Sequence, residues 1–156
     1  MRRRRDPVQA QNETRDMMLL NKMNEEQAFL TKPLVLAYLG DVVFEQYVRL
    51  RLVSGKYKDA HHLHMKSVRY VKASAQAMMV KQLEEILTVR EKDVVRFGRN
   101  AHTNTVPKNA DIIEYHAATG FEALLGYLKL SGQEERLCEI MDKAFDIADS
   151  GELERV

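Results

Sequence analysis

Two carboxylates stand where a helix would be expected to bury apolar side chains. Asp41 lies in Leu36-Ala37-Tyr38-Leu39-Gly40-Asp41-Val42-Val43-Phe44, and Glu122 in Gly120-Phe121-Glu122-Ala123-Leu124-Leu125-Gly126-Tyr127. A carboxylate is costly to bury alone, so each needs a basic partner or a cation. Two such groups on two core helices suit a hard divalent ion of the Mg2+ type, which keeps water in its shell and completes it with phosphate oxygens. A site of that kind hydrolyses phosphodiesters. The competing explanation from the residues alone is that each acid sits at a helix edge and pairs with Arg or Lys.

Other reactive side chains offer less. On a helix, His61, His62 and His64 do not converge as an i, i+4 pair would, and no cysteine or nearby Glu completes a zinc set. They read as residues of a basic face. Cys138 is the single cysteine, which excludes an intrachain disulfide and fits a reducing cytoplasm. There is no phosphate-cradling glycine loop and no Gly-x-Gly-x-x-Gly, so a nucleotide cofactor is not expected. The eight methionines read as core or interface filler.

The net charge of +1 hides a strong polarity along the chain. Residues 1–48 carry seven Lys/Arg and seven Asp/Glu, residues 49–108 thirteen and five, and residues 111–156 four and eleven. Within the basic middle, Arg49 to Lys72 hold seven bases (Arg49, Arg51, Lys56, Lys58, Lys66, Arg69 and Lys72) against Asp59 alone, with His61, His62 and His64 beside them. A polyanion would bind such a block by releasing its counterions. A solvated helix face balanced by the acidic last third explains the same charges about equally well.

The elements that must position the two acids follow from apolar spacing. Pro33 suits the first turn of a long, largely buried helix running to Ser54-Gly55. Asp59 is placed to cap a helix carrying Leu63, Met65, Val68 and Val71, which continues or restarts through Leu87. Thr88-Val89-Arg90-Glu91 is a capping box opening a helix to about Asn100. Residues 101–110 are polar, hold Pro107 and form a loop. Asn109 or Asp111 caps a helix reaching Ser131-Gly132, and a last helix runs from Gln133 to Ser150-Gly151. The expectation is an all-α chain of six or so helices within 156 residues, one domain over residues 21–150, with a basic arm at 1–20 and a tail at 151–156. No apolar segment approaches the roughly 20 residues that span a bilayer, and Arg2 to Arg5 are followed by no apolar export segment.

The two acidic segments carry a resemblance. Leu36 to Glu45 resembles the nuclease motif of the ribonuclease III family, built on an aromatic-Leu-Gly-Asp turn of helix, and Thr119 to Leu128 resembles that family's second acidic motif. They occur in the right order. Gly98-Arg99-Asn100-Ala101, Pro107-Lys108-Asn109 and the lack of a double-stranded-RNA-binding domain after residue 156 point to the Mini-ribonuclease III branch. Similarity spans about residues 30–150.

This resemblance implies an all-helical ribonuclease III catalytic domain working as a homodimer in the cytoplasm. It implies cleavage of double-stranded RNA to 5′-phosphate and 3′-hydroxyl ends, in maturation of the precursor of large-subunit (23S) ribosomal RNA. By the same analogy Asp41 and Glu122 are catalytic and hold Mg2+, while Lys66, Arg69, Lys72, Arg96, Arg99, Asn100, His102 and Lys108 grip the RNA backbone. Affinity would come from the catalytic domain itself or be borrowed from a large-subunit ribosomal protein already on the RNA. The chain departs from the family pattern at Ala37 and Thr119, where two further acids are usual, and Glu45 and Glu114 are the neighbours able to compensate. Two other classes remain open. One is a non-catalytic RNA-binding or ribosome-assembly adaptor, which needs only the basic block, and the other is a small-molecule phosphohydrolase, which does not need it.

Overall fold

A computed structural model describes residues 23–56, 59–101 and 105–150. The expected basic arm at 1–20, the tail at 151–156 and His102 lie outside the described residues. The all-helical expectation is met. The helices are α1 (Glu25–Phe29), α2 (Pro33–Val53), α3 (Ala60–Val71), α4 (Ala73–Leu83), a 3-10 turn (Glu84–Ile86), α5 (Val89–Asn100), α6 (Ile112–Leu130) and α7 (Glu134–Asp149). No helix among the described residues is long and apolar enough to cross a membrane.

The sequence places α6 at the centre. From Ala118 to Leu128 every residue except Glu122 is buried, and a helix apolar on all sides must be surrounded. It packs chiefly on α2, α5 and α4, with α7 closing a further side. Phe44 of α2 meets Phe121 of α6 edge-on, ring centres 5.1 Å apart. Tyr70 of α3 stacks on Phe145 of α7 at 4.4 Å. Two tyrosine hydroxyls, of Tyr47 and Tyr70, donate to Asp142 and Asp149, tying α7 to α2 and α3.

The Thr88–Glu91 capping box forms as the sequence predicts, with Thr88 Oγ1 accepting from the Glu91 N–H and Glu91 accepting from the Thr88 N–H. It serves a second purpose. Glu91 is buried and receives Arg136 of α7 through Nε and Nη2, at 3.0 and 2.8 Å, while Nη2 also donates to the Ile86 carbonyl. Burial acts to raise the Glu91 pKa, but its hydrogen bonds with Arg136 and Thr88 outweigh burial and hold it below the usual carboxylate range.

Two expectations are corrected. The long helix α2 is not largely buried: Leu36, Ala37, Gly40, Phe44, Val48 and Leu52 face the core, while Val35, Tyr38, Val42, Leu50 and Val53 are exposed. Asp59 occupies the cap position of α3 with its carboxylate on the His62 ring at 2.7 Å and no full side-chain capping hydrogen bond. Of the two readings for the segment that follows, continuing or restarting, the structure takes the second, with two helices broken at Lys72, whose backbone is extended. At the α6 start Asp111 is the cap, accepting from the Glu114 N–H, and Asn109 adopts a positive φ of 68° in the preceding turn.

Candidate active site

Asp41 and Glu122 are brought together where α2 and α6 meet backbone to backbone. Gly40 and Gly126 lie where α2 and α6 touch. A Cβ on Gly40 would fall 1.7 Å from the Glu122 carbonyl oxygen, and one on Gly126 would fall 1.9 Å from the Leu36 carbonyl oxygen. Only glycine permits that approach. The glycine of each acidic motif is therefore the contact, and the acid beside it is delivered to the same edge of the crossing. On its opposite side α6 meets α5 through Gly98 and Gly120, where a Cβ on Gly98 would lie 2.8 Å from the Gly120 Cα. Grip from both sides fixes where Glu122 sits.

The two acids differ in exposure. Asp41 is exposed and Glu122 partly buried, so the expectation of two buried carboxylates holds only for the second. Asp41 shares a face of α2 with the buried Ala37, Phe44 and Val48, one or two turns away, yet is itself exposed, so it stands at an open edge of the core-facing stripe. Neither acid forms an ion pair among the described residues. Desolvation, then the Asp41 charge, pushes Glu122 up to about 7 against a lowering hydrogen bond from Gln76. Asp41 is likewise raised, by burial and then by Glu45. A carboxylate raised by a neighbouring carboxylate marks a place for positive charge.

The positions of the two missing acids are filled by groups that stay out of the site. Ala37 is buried, and Thr119 turns its hydroxyl back onto the Tyr115 carbonyl at 3.0 Å. Glu45 is close enough to act on Asp41 but is held by Arg49 at 2.9 Å. Glu114 lies in the first turn of α6, two turns from Glu122. No group of three or more His, Cys, Asp or Glu placed to hold a metal occurs among the described residues. What the fold offers is two hard oxygen donors on an open surface.

Gln76 was not singled out by the sequence. It is a polar residue in the otherwise apolar run Ala75-Gln76-Ala77-Met78-Met79, and it is buried in α4 facing Glu122. A polar residue in a core-facing register was the available signal.

The basic residues fall in two groups on different elements. Lys66, Arg69 and Lys72 lie on α3 and at its junction with α4, with Arg69 exposed. Arg96, Arg99 and Asn100 are exposed on α5, and Lys108 is exposed in the loop that follows. Arg96 is partly engaged by Asp93 at 2.8 Å, and Arg96 and Arg99 share a surface hollow with Lys92.

Residues 34–133 match the family model of the ribonuclease III domain. A Mini-ribonuclease 3 of Symbiobacterium thermophilum is 51% identical over 120 residues, covering 77% of this chain and 92% of the relative. The Mini-ribonuclease 3 of Thermoanaerobacter sp. is 45% identical, covering 80% and 88%, and that of Staphylococcus aureus 36% identical, covering 82% and 97%. A crystal structure of a Fusobacterium nucleatum protein superposes with a TM-score of 0.68 at 26% identity, over 75% of this chain and 93% of that one.

Proposed function

The chain belongs to the ribonuclease III family, in its Mini-ribonuclease branch, and from that premise we propose that it cuts double-stranded RNA at a Mg2+ site formed by Asp41 and Glu122. It is an endoribonuclease. The observation that carries the site is the Gly40–Gly126 crossing, which sets two carboxylates side by side with no basic partner among the described residues.

The donor set fits such an ion: two hard oxygens, no nitrogen or sulfur, and room for water and phosphate oxygens to complete the shell. Bound there, Mg2+ would supply Lewis acidity at the scissile phosphate and make water a stronger nucleophile. Glu122, held in the gripped part of α6, fixes the inner side of the site. Asp41, exposed at the edge of the core-facing stripe of α2, faces the approaching substrate. An open site suits a polymer backbone better than a small molecule, which enzymes usually enclose.

Arg69 and Lys72 on one side, and Arg96, Arg99, Asn100 and Lys108 on the other, contact phosphates, with Lys66 and His102 assisting. The exposed apolar stripe on α2 is covered by a second copy of the chain. The substrate, by likeness to the family, is the double-stranded stem of the 23S ribosomal RNA precursor in the cytoplasm, with a large-subunit ribosomal protein as helper.

Cleavage of labelled double-stranded RNA by the purified protein tests this reading. With Mg2+ the wild type should cut, EDTA should abolish cutting, and Asp41→Asn should slow it on the order of a thousandfold, the several kcal/mol that a catalytic ion contributes. Binding without cutting, even on the ribosomal precursor with ribosomal proteins present, would make the protein an RNA-binding adaptor instead.

A further inference from the structure

Four polar or charged residues are buried among the described residues: Ser67, Gln76, Glu91 and Thr119. Three are satisfied. Ser67 donates to the His64 carbonyl, Thr119 to the Tyr115 carbonyl, and Glu91 is held by Arg136 and its capping box. Gln76 alone among them keeps an orphan: it is 1% exposed, its Nε2 donates to the Val71 carbonyl at 3.0 Å, and its Oε1 has no partner. The Val71 bond fixes which way the amide points, because a carbonyl accepts only from the nitrogen end. An amide oxygen so buried is costly to leave unpaired, and each such case in a native fold calls for an explanation.

The orphan's surroundings supply one. Gln76 sits in the first turns of α4 against α6, with its side chain on Glu122. In the ionised state that binds a cation, Glu122 is a pure acceptor and cannot satisfy Oε1. In that state a donor is missing, and a hydrated divalent cation beside Glu122 brings several O–H groups. We propose that Gln76 is a positioning residue of the metal site: its amide steadies the Glu122 carboxylate, and its Oε1 accepts a hydrogen bond from a water carried by the cation. This rests on the metal site proposed above. Groups that orient metal ligands or their waters from behind commonly change metal affinity by about 10–100-fold.

The experiment is a Mn2+ titration of the full chain without RNA, followed by the electron paramagnetic resonance signal of free Mn2+, since Mn2+ takes the same oxygen ligands as Mg2+. Gln76→Met keeps the length of the side chain and removes both polar ends. It should bind Mn2+ about 10–100-fold more weakly, while its affinity for double-stranded RNA in EDTA stays at the wild-type value. Gln76→Glu, which keeps an acceptor at the same place, should bind Mn2+ at least as tightly as the wild type. A folded Gln76→Met with Mn2+ affinity within about twofold of wild type overturns the role, because it would fall below the range for such partners. Should Gln76→Met fail to fold, Gln76→Glu decides: weaker binding than wild type overturns the proposal, and equal or tighter binding upholds it. Asp41→Asn, run alongside, separates the two readings. If it and the wild type take up Mn2+ alike, the metal site itself is wrong, and the role of Gln76 falls with it.

Discussion

Replacing Glu122 by glutamine keeps the shape of the side chain and removes a charge that the fold resists. The folded protein raises this carboxyl from 4.5 to about 7. The group's contribution to stability is therefore complete below its unfolded value and is lost as pH rises through about 7, a span on the order of 3 kcal/mol. Glu122→Gln in metal-free buffer should be more stable than wild type at pH 8 and no more stable at pH 4, as read by urea unfolding. Identical pH slopes in the two proteins would refute this. Added Mg2+ should raise the wild-type melting temperature at pH 8 and leave the variant's unchanged, by mass action on the folded state. Arg136 shows the opposite sign: it sustains the buried charge of Glu91, and Arg136→Ala should cost about 3–5 kcal/mol, the usual penalty for stranding one member of a buried pair. Arg136→Ala combined with Glu91→Gln should recover part of that loss, measurable in a double-mutant cycle.

At the scale of elements, the α2–α6 crossing governs both stability and activity. Gly40→Ala and Gly126→Ala drive a methyl group to 1.7 and 1.9 Å from backbone oxygens, so the helices must separate. Each should destabilise by about 3 kcal/mol or more, at the upper end of overpacking effects, and should suppress cleavage even where the protein still folds. Denaturation and cleavage assays on the same preparations check it, and a Gly40→Ala variant of wild-type stability would contradict the crossing. Much at this scale was legible beforehand. Pro33, the Thr88–Glu91 box and the Ser131-Gly132 stop mark three helix ends by local chemistry, which is written in adjacent residues. The exposed side of α2 was not legible, because Val35, Tyr38, Val42 and Leu50 look like core residues until a neighbour is found to be missing. The five-residue α1 was also missed, being too short to show a period. Both motif acids were visible as anomalies, but that they meet depends on the contact of Gly40 with the Glu122 backbone, which joins residues 82 apart in the chain.

For the molecule as a whole, the exposed apolar stripe of α2 and the divided basic surface make separate demands. Tyr38 is 80%, Leu50 65% and Val42 62% exposed, more apolar surface along one helix than a monomer usually leaves in water. Leu50→Glu should convert a dimer to a monomer in sedimentation velocity, and a wild type that already sediments as a monomer at micromolar concentration would remove the dimer. Affinity for double-stranded RNA should fall log-linearly with salt. Arg69→Ala or Arg99→Ala should each flatten that slope by about one unit or less, since a phosphate without its basic partner keeps its counterion. Filter binding across a salt series measures it. The Gly40–Gly126 contact reaches this scale too. Because it holds no side chains, it has no rotamers, and the spacing of the two acid-bearing backbones is that of two rods in van der Waals contact. The entropy of assembling the charged pair is met once, at folding. Loading of an ion then asks for no rearrangement of the crossing, and its tempo is set by how fast the ion gives up water.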